Sequence, residues 1–221
     1  MAPEINVNGG KISDIKPAAR TLGTTIELRD LFYATPARLK FLRSTKSELK
    51  AITDIVKGLS ISTPNVAFTL IDKTGGKSRK IIQVQKEKDV SLASIKNRLS
   101  RVLGQDFSKN SISIDVTRED VNLTGYVCLP TYARASNAMQ YFFVNNRQVR
   151  DKQLIGALRA AYSDFMPRDR FPAAAIYINC RPDFVDVNVH PGKSEVRFRD
   201  PQGIRSLIAT GIRQVTAIER N

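Results

Sequence analysis

Asp186-Val187-Asn188-Val189-His190-Pro191-Gly192-Lys193-Ser194-Glu195-Val196-Arg197-Phe198 is the stretch from which the rest of this sequence can be read. From Asp186 to His190, polar and apolar residues alternate with the two-residue period of a half-buried strand. Pro191-Gly192 ends that run: a residue ahead of proline is held extended, and glycine lets the backbone turn without a Cβ clash. Ser194 to Phe198 reads as a second strand. Lys193 therefore stands on a tight turn between strands, a compact charge on a flexible stem. Taken alone, a lysine on a turn is most simply a solvated one. His190 is the only histidine, which excludes any mechanism needing two, and a structural hydrogen bond within the turn suits it better than catalysis.

Working outward, strands and helices mix along the chain. Ala173 to Asn179 is an apolar strand. Lys152 to Phe165 has helical spacing, with Leu154, Ile155, Leu158, Tyr162 and Phe165 on one face. Gln140 to Asn145 is an aromatic-rich strand ending in an Asn145-Asn146 turn. Ser111–Val116 and Leu123–Leu129 form an antiparallel pair, and Leu92–Leu103 a helix stopped by Gly104. Val66–Ile71 and Ile81–Gln85 form a hairpin through Lys73-Thr74-Gly75-Gly76-Lys77. Pro36 opens a long helix to Leu59, with Leu42, Leu49, Ile52, Val56 and Leu59 inward and Arg43, Lys46, Lys50 and Lys57 as a basic stripe. Thr24 to Arg29 reads as a strand, and Glu4 to Ile15 as short strands around Asn8-Gly9-Gly10. The last helix runs from Pro201 to Ile218 on Ile204, Leu207, Ile208, Ile212 and Val215. This order predicts an α+β fold, a mixed β-sheet with packed helices.

With 221 residues, 42% of them hydrophobic, the chain can bury a real core. Its 35 Lys and Arg against 21 Asp and Glu give +14, which points to an anionic partner, nucleic acid or a membrane surface. No apolar run approaches the ~20 residues needed to span a bilayer. Cys128 and Cys180 stand alone in apolar segments without a CxxC pair, so no metal site is expected, and free buried thiols fit a reducing cytosol.

Three segments carry a family resemblance. Gly23-Thr24-Thr25-Ile26-Glu27-Leu28-Arg29-Asp30-Leu31-Phe32 with Pro36-Ala37-Arg38 and Lys40-Phe41-Leu42, Phe143-Val144-Asn145-Asn146-Arg147, and the Asp186–Phe198 stretch all resemble, in order and separation, motifs of the MutL DNA mismatch repair family. Ala34 and Gly192 depart from the commoner Asn and Ala. The resemblance implies a transducer domain over 36–221, of the kind also found in gyrase B, with a left-handed βαβ crossover that would be an exception to the usual hand. Residues 1–35 would be residual strands of a GHKL ATPase domain. The Glu- and Asn-bearing helix, the Asp-x-Gly-x-Gly loop and the glycine-rich lid of that ATPase are absent here. The chain alone is thus expected not to be an enzyme or to hold a cofactor, although ATP and Mg would serve the full-length protein, and Met1 reads as an internal or artificial start.

The same resemblance assigns roles. Lys193 would reach the γ-phosphate of ATP held by the missing ATPase half, and Gly23 and Thr24 would line the back of that nucleotide pocket. Arg147, Arg150, Lys152 and Arg159, which cluster around the start of the third helix, would contact DNA, with Lys152 at the position of a family DNA-binding arginine. No aromatic residues interleave with these bases and no zinc-finger spacing appears, so binding would be backbone-driven and sequence-independent. Expected partners are DNA, the ATPase half, a C-terminal dimerisation domain and the mismatch-recognition protein MutS, in the cytoplasm and without a membrane. The alternatives are a transducer of another GHKL ATPase such as a type II topoisomerase, or a plain basic nucleic-acid-binding module.

Overall fold

The computed structural model describes residues 2–187 and 195–218. The chain forms two compact units, Met1–Leu49 and Lys50–Asn221. In the first, β1 (Ala2–Glu4), β2 (Val7–Asn8), β3 (Lys11–Ile12) and β4 (Lys16–Ala18) make two small antiparallel pairs, β1 with β4 and β2 with β3. The Asn8-Gly9-Gly10 turn closes the inner pair, as its composition predicts. The strand expected over 24–29 does not form. Ile26 and Leu28 are 89% and 76% exposed, and an extended segment with no neighbour to take its N–H and C=O groups gains nothing over solvated chain.

The long helix expected from Pro36 to Leu59 is two helices, α1 (Pro36–Leu39) and α2 (Thr45–Ser62). The break has a local cause. The Ser47 amide donates to the Ser44 hydroxyl (3.4 Å), while Glu48 reaches back to accept the Arg43 N–H (2.9 Å). Ser44 caps the start of a new helix, with Glu48 satisfying the amide of the residue before the cap. Arg43 thus leaves the basic stripe and belongs to the cap.

The second unit adds the hairpin of β5 (Phe68–Asp72) and β6 (Arg79–Val84), then α3 (Leu92–Leu103), α4 (Gln105–Lys109), β7 (Ser111–Arg118), β8 (Val121–Cys128), β9 (Gln140–Val144) and β10 (Arg147–Val149). It closes with α5 (Lys152–Ala161), β11 (Ala174–Cys180), β12 (Val185–Asp186), β13 (Arg197–Phe198) and α6 (Pro201–Ile218). Its main sheet has the order β10-β9-β11-β8-β7. Neighbours run antiparallel except β9 and β11, which are parallel. The chain between those two passes through β10 and α5. The fold is therefore α+β with a mixed sheet, as expected.

Helices cover both faces of this sheet. Phe142 and Val144 of β9 and Ile176 and Ile178 of β11 pack with Leu154 and Leu158 of α5 and Ile204, Leu207, Ile208 and Ile212 of α6. Tyr141, Phe143 and Tyr177 point the other way, against Ile61 of α2, Ile95 and Leu99 of α3 and Phe107 of α4. Burial on both faces is why residues 141–144 are apolar without alternation. At Gly125 of β8, φ is +133° and an added Cβ would lie 2.1 Å from the Ala175 carbonyl oxygen of β11, so only glycine lets these strands approach.

The inward face expected for α2 is corrected. Its buried residues are Gly58, Ser60, Ile61 and Ser62, while Ile52, Ile55 and Leu59 stay exposed. The helix is engaged through its C-terminal end. The Tyr177 hydroxyl donates to the Ile61 carbonyl (3.0 Å), and Arg98 of α3, wholly buried, donates to the carbonyls of Ser60 (3.3 Å), Pro64, Val66 (2.8 Å) and Gln85 (2.8 Å). Its Nε lies 3.9 Å from the Glu87 carboxylate, which Arg101 approaches to 3.0 Å. One guanidinium thus ties α2, the segment after it and β6 to α3. Helix α5 stops at Ala161, short of Phe165, where the Tyr162 hydroxyl donates to the Cys128 carbonyl (2.6 Å).

Candidate nucleotide-sensing turn and nucleic-acid face

The 186–198 stretch begins and ends in a strand pair. Val185 pairs with Phe198 and Asp186 with Arg197, antiparallel. Phe198 and Val196 are buried, and Val185 and Val187 pack against the α5–α6 core. The Arg199 N–H donates to the Phe184 carbonyl (2.8 Å) and extends the anchor. The two ends of the 186–198 stretch are thus held by apolar burial and backbone bonds. Lys193 lies outside the described residues, as do His190, Pro191 and Gly192.

Gly23 and Thr24 are described, and they are exposed in irregular chain. Only the Arg20 guanidinium, at 3.7 Å, comes near where a Gly23 Cβ would sit. By themselves these residues do not form a nucleotide pocket. Among the described residues, no cluster of three His, Cys, Asp or Glu side chains could hold a metal ion.

The basic face is built at the sheet edge. Asn145 and Asn146 both have positive φ (47° and 65°), the type I′ geometry whose twist suits a two-residue hairpin. Edge strand β10 then alternates exposed Arg147, half-buried Gln148 and buried Val149, and Arg150 emerges to solvent. The Asp151 carboxylate accepts the amides of Gln153 (2.8 Å) and Leu154 (3.1 Å). That N-cap fixes where α5 begins and sets Lys152, exposed, on its first turn. Arg150 and Lys152 therefore flank a helix N-terminus, where the macrodipole adds positive potential, and Arg147 precedes them on the edge strand. One of the nearby acids is already engaged. Asp151 is buried as the cap. Asp54 of α2 acts on Tyr141, whose hydroxyl is pushed up to about 12 by burial and further by Asp54, with Arg150 opposing.

Arg159 does not belong to that group. It sits seven positions along α5 from Lys152, roughly 10 Å at the helical rise. Its guanidinium donates to the Arg168 carbonyl (2.6 Å) and lies 5.6 Å from the centre of the Phe171 ring. The sequence placed the four cations together because they are near in the chain, whereas a helix carries Arg159 to its opposite end. Of the expected stripe, Lys46 and Lys50 are exposed on α2 and Lys57 is half-buried.

Two features of this face went unread in the sequence. Asp151, directly ahead of an apolar-periodic run, is an N-cap signal. Gly58, in contrast, meets Gln148 of β10 so closely that a Cβ would lie 1.6 Å from its side-chain oxygen, and no local pattern marks that contact.

Comparison with known proteins bears on the whole of this architecture. Residues 99–217, more than half of the chain, match the model of the DNA mismatch repair protein C-terminal domain. The chain belongs to the MutL DNA mismatch repair protein family. It is 49% identical over 210 residues to MutL of Agrobacterium fabrum, covering 95% of this chain and 33% of that protein. To MutL of Mesorhizobium japonicum it is 45% identical over 216 residues, covering 98% and 34%. This MutL-family chain thus spans about a third of the length of the curated relatives it matches. Among solved structures, it superposes on the N-terminal domain of a DNA repair protein with a TM-score of 0.83 at 19% identity, covering 99% of this chain and 68% of that one. The ATPase domain of Aquifex aeolicus MutL gives 0.65 at 22% identity, covering 97% and 70%. At those identities the structural likeness speaks for the fold alone. No described helix of this MutL relative is long and apolar enough to cross a membrane.

Proposed function

We propose that this chain is the transducer of a MutL-type mismatch repair ATPase, coupling a nucleotide held elsewhere to contact with the DNA backbone. The observation that carries the DNA half is the run of exposed Arg147, Arg150 and Lys152 from a sheet edge into the capped start of α5. Three cations in solvent, with the adjoining acid consumed as a helix cap, are placed to neutralise phosphates, and nothing about them selects a base. Arg159 would contribute from the far end of the helix. The nucleotide half rests on the resemblance of the 186–198 stretch to the family motif. Lys193 would offer its ammonium to the γ-phosphate of an ATP whose pocket, magnesium and general base belong to a separate ATPase domain, with Gly23 and Thr24 on that pocket's rear wall. On this reading the chain alone turns over no ATP, acts in the cytoplasm, and works with MutS and a dimerisation domain.

The test is reconstitution. Mixed with a nucleotide-holding ATPase domain of the family, the wild-type chain should restore ATP turnover. Lys193→Ala should lower that turnover by about 10²–10³-fold, the loss typical of one preorganised charge-stabilising donor. Equal turnover with Lys193→Ala would refute the sensing role and leave a positively charged scaffold.

A further inference from the structure

The second half of α5 and the segment after it enclose an open groove of about 560 Å3, lined by Gly156, Arg159, Tyr162, Met166, Arg168 and Arg170. Its lining is cationic on balance, with three arginines against the Asp164 carboxylate. Asp164 is paired with Arg213 of α6 (3.6 Å), and Asp169 reaches Arg170 only at 4.0 Å, with both side chains largely in solvent. Among the described residues no carboxylate pairs with Arg168, which is exposed. The end of α5 has no need of this excess. The Arg159 and Ala160 carbonyls accept the amides of Tyr162 (3.1 Å) and Ser163 (3.3 Å), and Arg159 itself supplies the cation that a helix C-terminus favours. Arg168 and Arg170 follow in a Pro167-to-Pro172 loop, with no carbonyl of α5 waiting for them.

Gly156 is the second unexplained feature. It lies mid-helix, where glycine costs about 1 kcal/mol relative to alanine, and a Cβ there would meet nothing within 4 Å. No internal contact asks for glycine, yet its bare backbone keeps the groove floor open. Lys152, Gly156 and Arg159 are all exposed at spacings of four and three, which puts them on one helical stripe. The groove is therefore continuous with the basic start of α5, over a rise equal to about three base-pair steps of duplex.

We propose that this groove is a second seat for duplex DNA, in which Arg168 and Arg170 neutralise backbone phosphates of the same molecule that meets Arg147, Arg150 and Lys152. The proposal rests on the DNA reading above, with charge complementarity naming the occupant. Arg159, tied to the Arg168 carbonyl and the Phe171 ring, forms the groove wall between the two sets of cations.

The experiment measures binding of the full 221-residue chain to a labelled duplex of about 30 base pairs by fluorescence anisotropy, from about 50 to 200 mM salt. Arg168→Gln with Arg170→Gln should make the log–log salt slope shallower by about 1.8 and weaken binding on the order of 10–100-fold near 0.1 M salt. Arg147→Gln with Lys152→Gln is the parallel double variant. If only that pair flattens the slope, the groove is not a DNA seat and the DNA reading stands. If the wild-type chain shows no salt-dependent binding, the DNA reading falls and this proposal with it. Gly156→Phe fills the groove without changing charge and should weaken binding by about tenfold, or 1.4 kcal/mol. Unchanged affinity in that variant, with a native melting profile, places the duplex elsewhere and overturns the proposal.

Discussion

Replacing Arg98 with methionine tests whether a single buried guanidinium ties α2 and the β5–β6 hairpin to α3. The wild-type side chain is wholly buried and donates to the carbonyls of Ser60, Pro64, Val66 and Gln85, with Glu87 behind it. Methionine fills much of the volume and donates nothing. At roughly 1.5 kcal/mol per bond, the low end for a charged donor, the four bonds amount to about 6 kcal/mol. Relief of the guanidinium's desolvation returns about 2 kcal/mol of that, so the expected loss is about 4 kcal/mol. For a chain of this length the midpoint of thermal unfolding should fall by roughly 8–16 °C. Urea titration should show a lower midpoint at an unchanged slope. Arg98→Lys keeps the charge but loses the planar fork, so it should land between, near ~2 kcal/mol. A methionine variant within about 1 kcal/mol of wild type would refute the reasoning, because it would mean those carbonyls are as well served by water.

Three further outcomes follow from particular contacts. Gly125→Ala forces a Cβ onto the Ala175 carbonyl at a backbone angle that disfavours L side chains, and should destabilise by at least about 3 kcal/mol in calorimetry. Asp151→Ala removes the cap of α5 and should cost about 1–2 kcal/mol; hydrogen exchange at the Gln153 and Leu154 amides should quicken, while the distal turn of α5 is spared. Asp89 is held down to about 2 by the hydroxyls of Ser91 and Ser94 and by the Ser91 amide. A depressed folded value stabilises above the ordinary carboxylate range, near ~3.9, and that contribution is lost as pH falls through about 2. The thermal advantage of wild type over Asp89→Asn should therefore shrink between about pH 4 and pH 2 and be flat above it, as read from melting curves across that window.

Local chemistry was legible wherever it was self-sufficient. The Asn145-Asn146 turn, the α3 boundaries with the Gly104 stop, the β7–β8 pair and the apolar face of α6 all depend on residues a few positions apart, and each is where its pattern predicts. Errors arose where a pattern needed a partner. Residues 24–29 alternate like a strand, but alternation supplies only one side of a ladder. The apolar residues of α2 have helical spacing, yet the helix is held by small and polar residues at its end, through hydrogen bonds from Tyr177 and Arg98. The Ser44–Glu48 cap was present in the sequence and was outweighed by a continuous apolar period.

What the sequence by itself determined is the family, the mixture of strands and helices, and an excess of positive charge, because motif order, hydrophobic period and net charge are written one residue at a time. Tertiary structure alone decided which cations share a face. Arg147, Arg150 and Lys152 follow one another because an edge strand turns into a capped helix, and Arg159 shares the stripe of Lys152 at the far end of a helix that rises about 1.5 Å per residue. Arg168 and Arg170 gain a meaning only when the chain folds back beside α5, since a groove is a relation between segments and leaves no mark within either one.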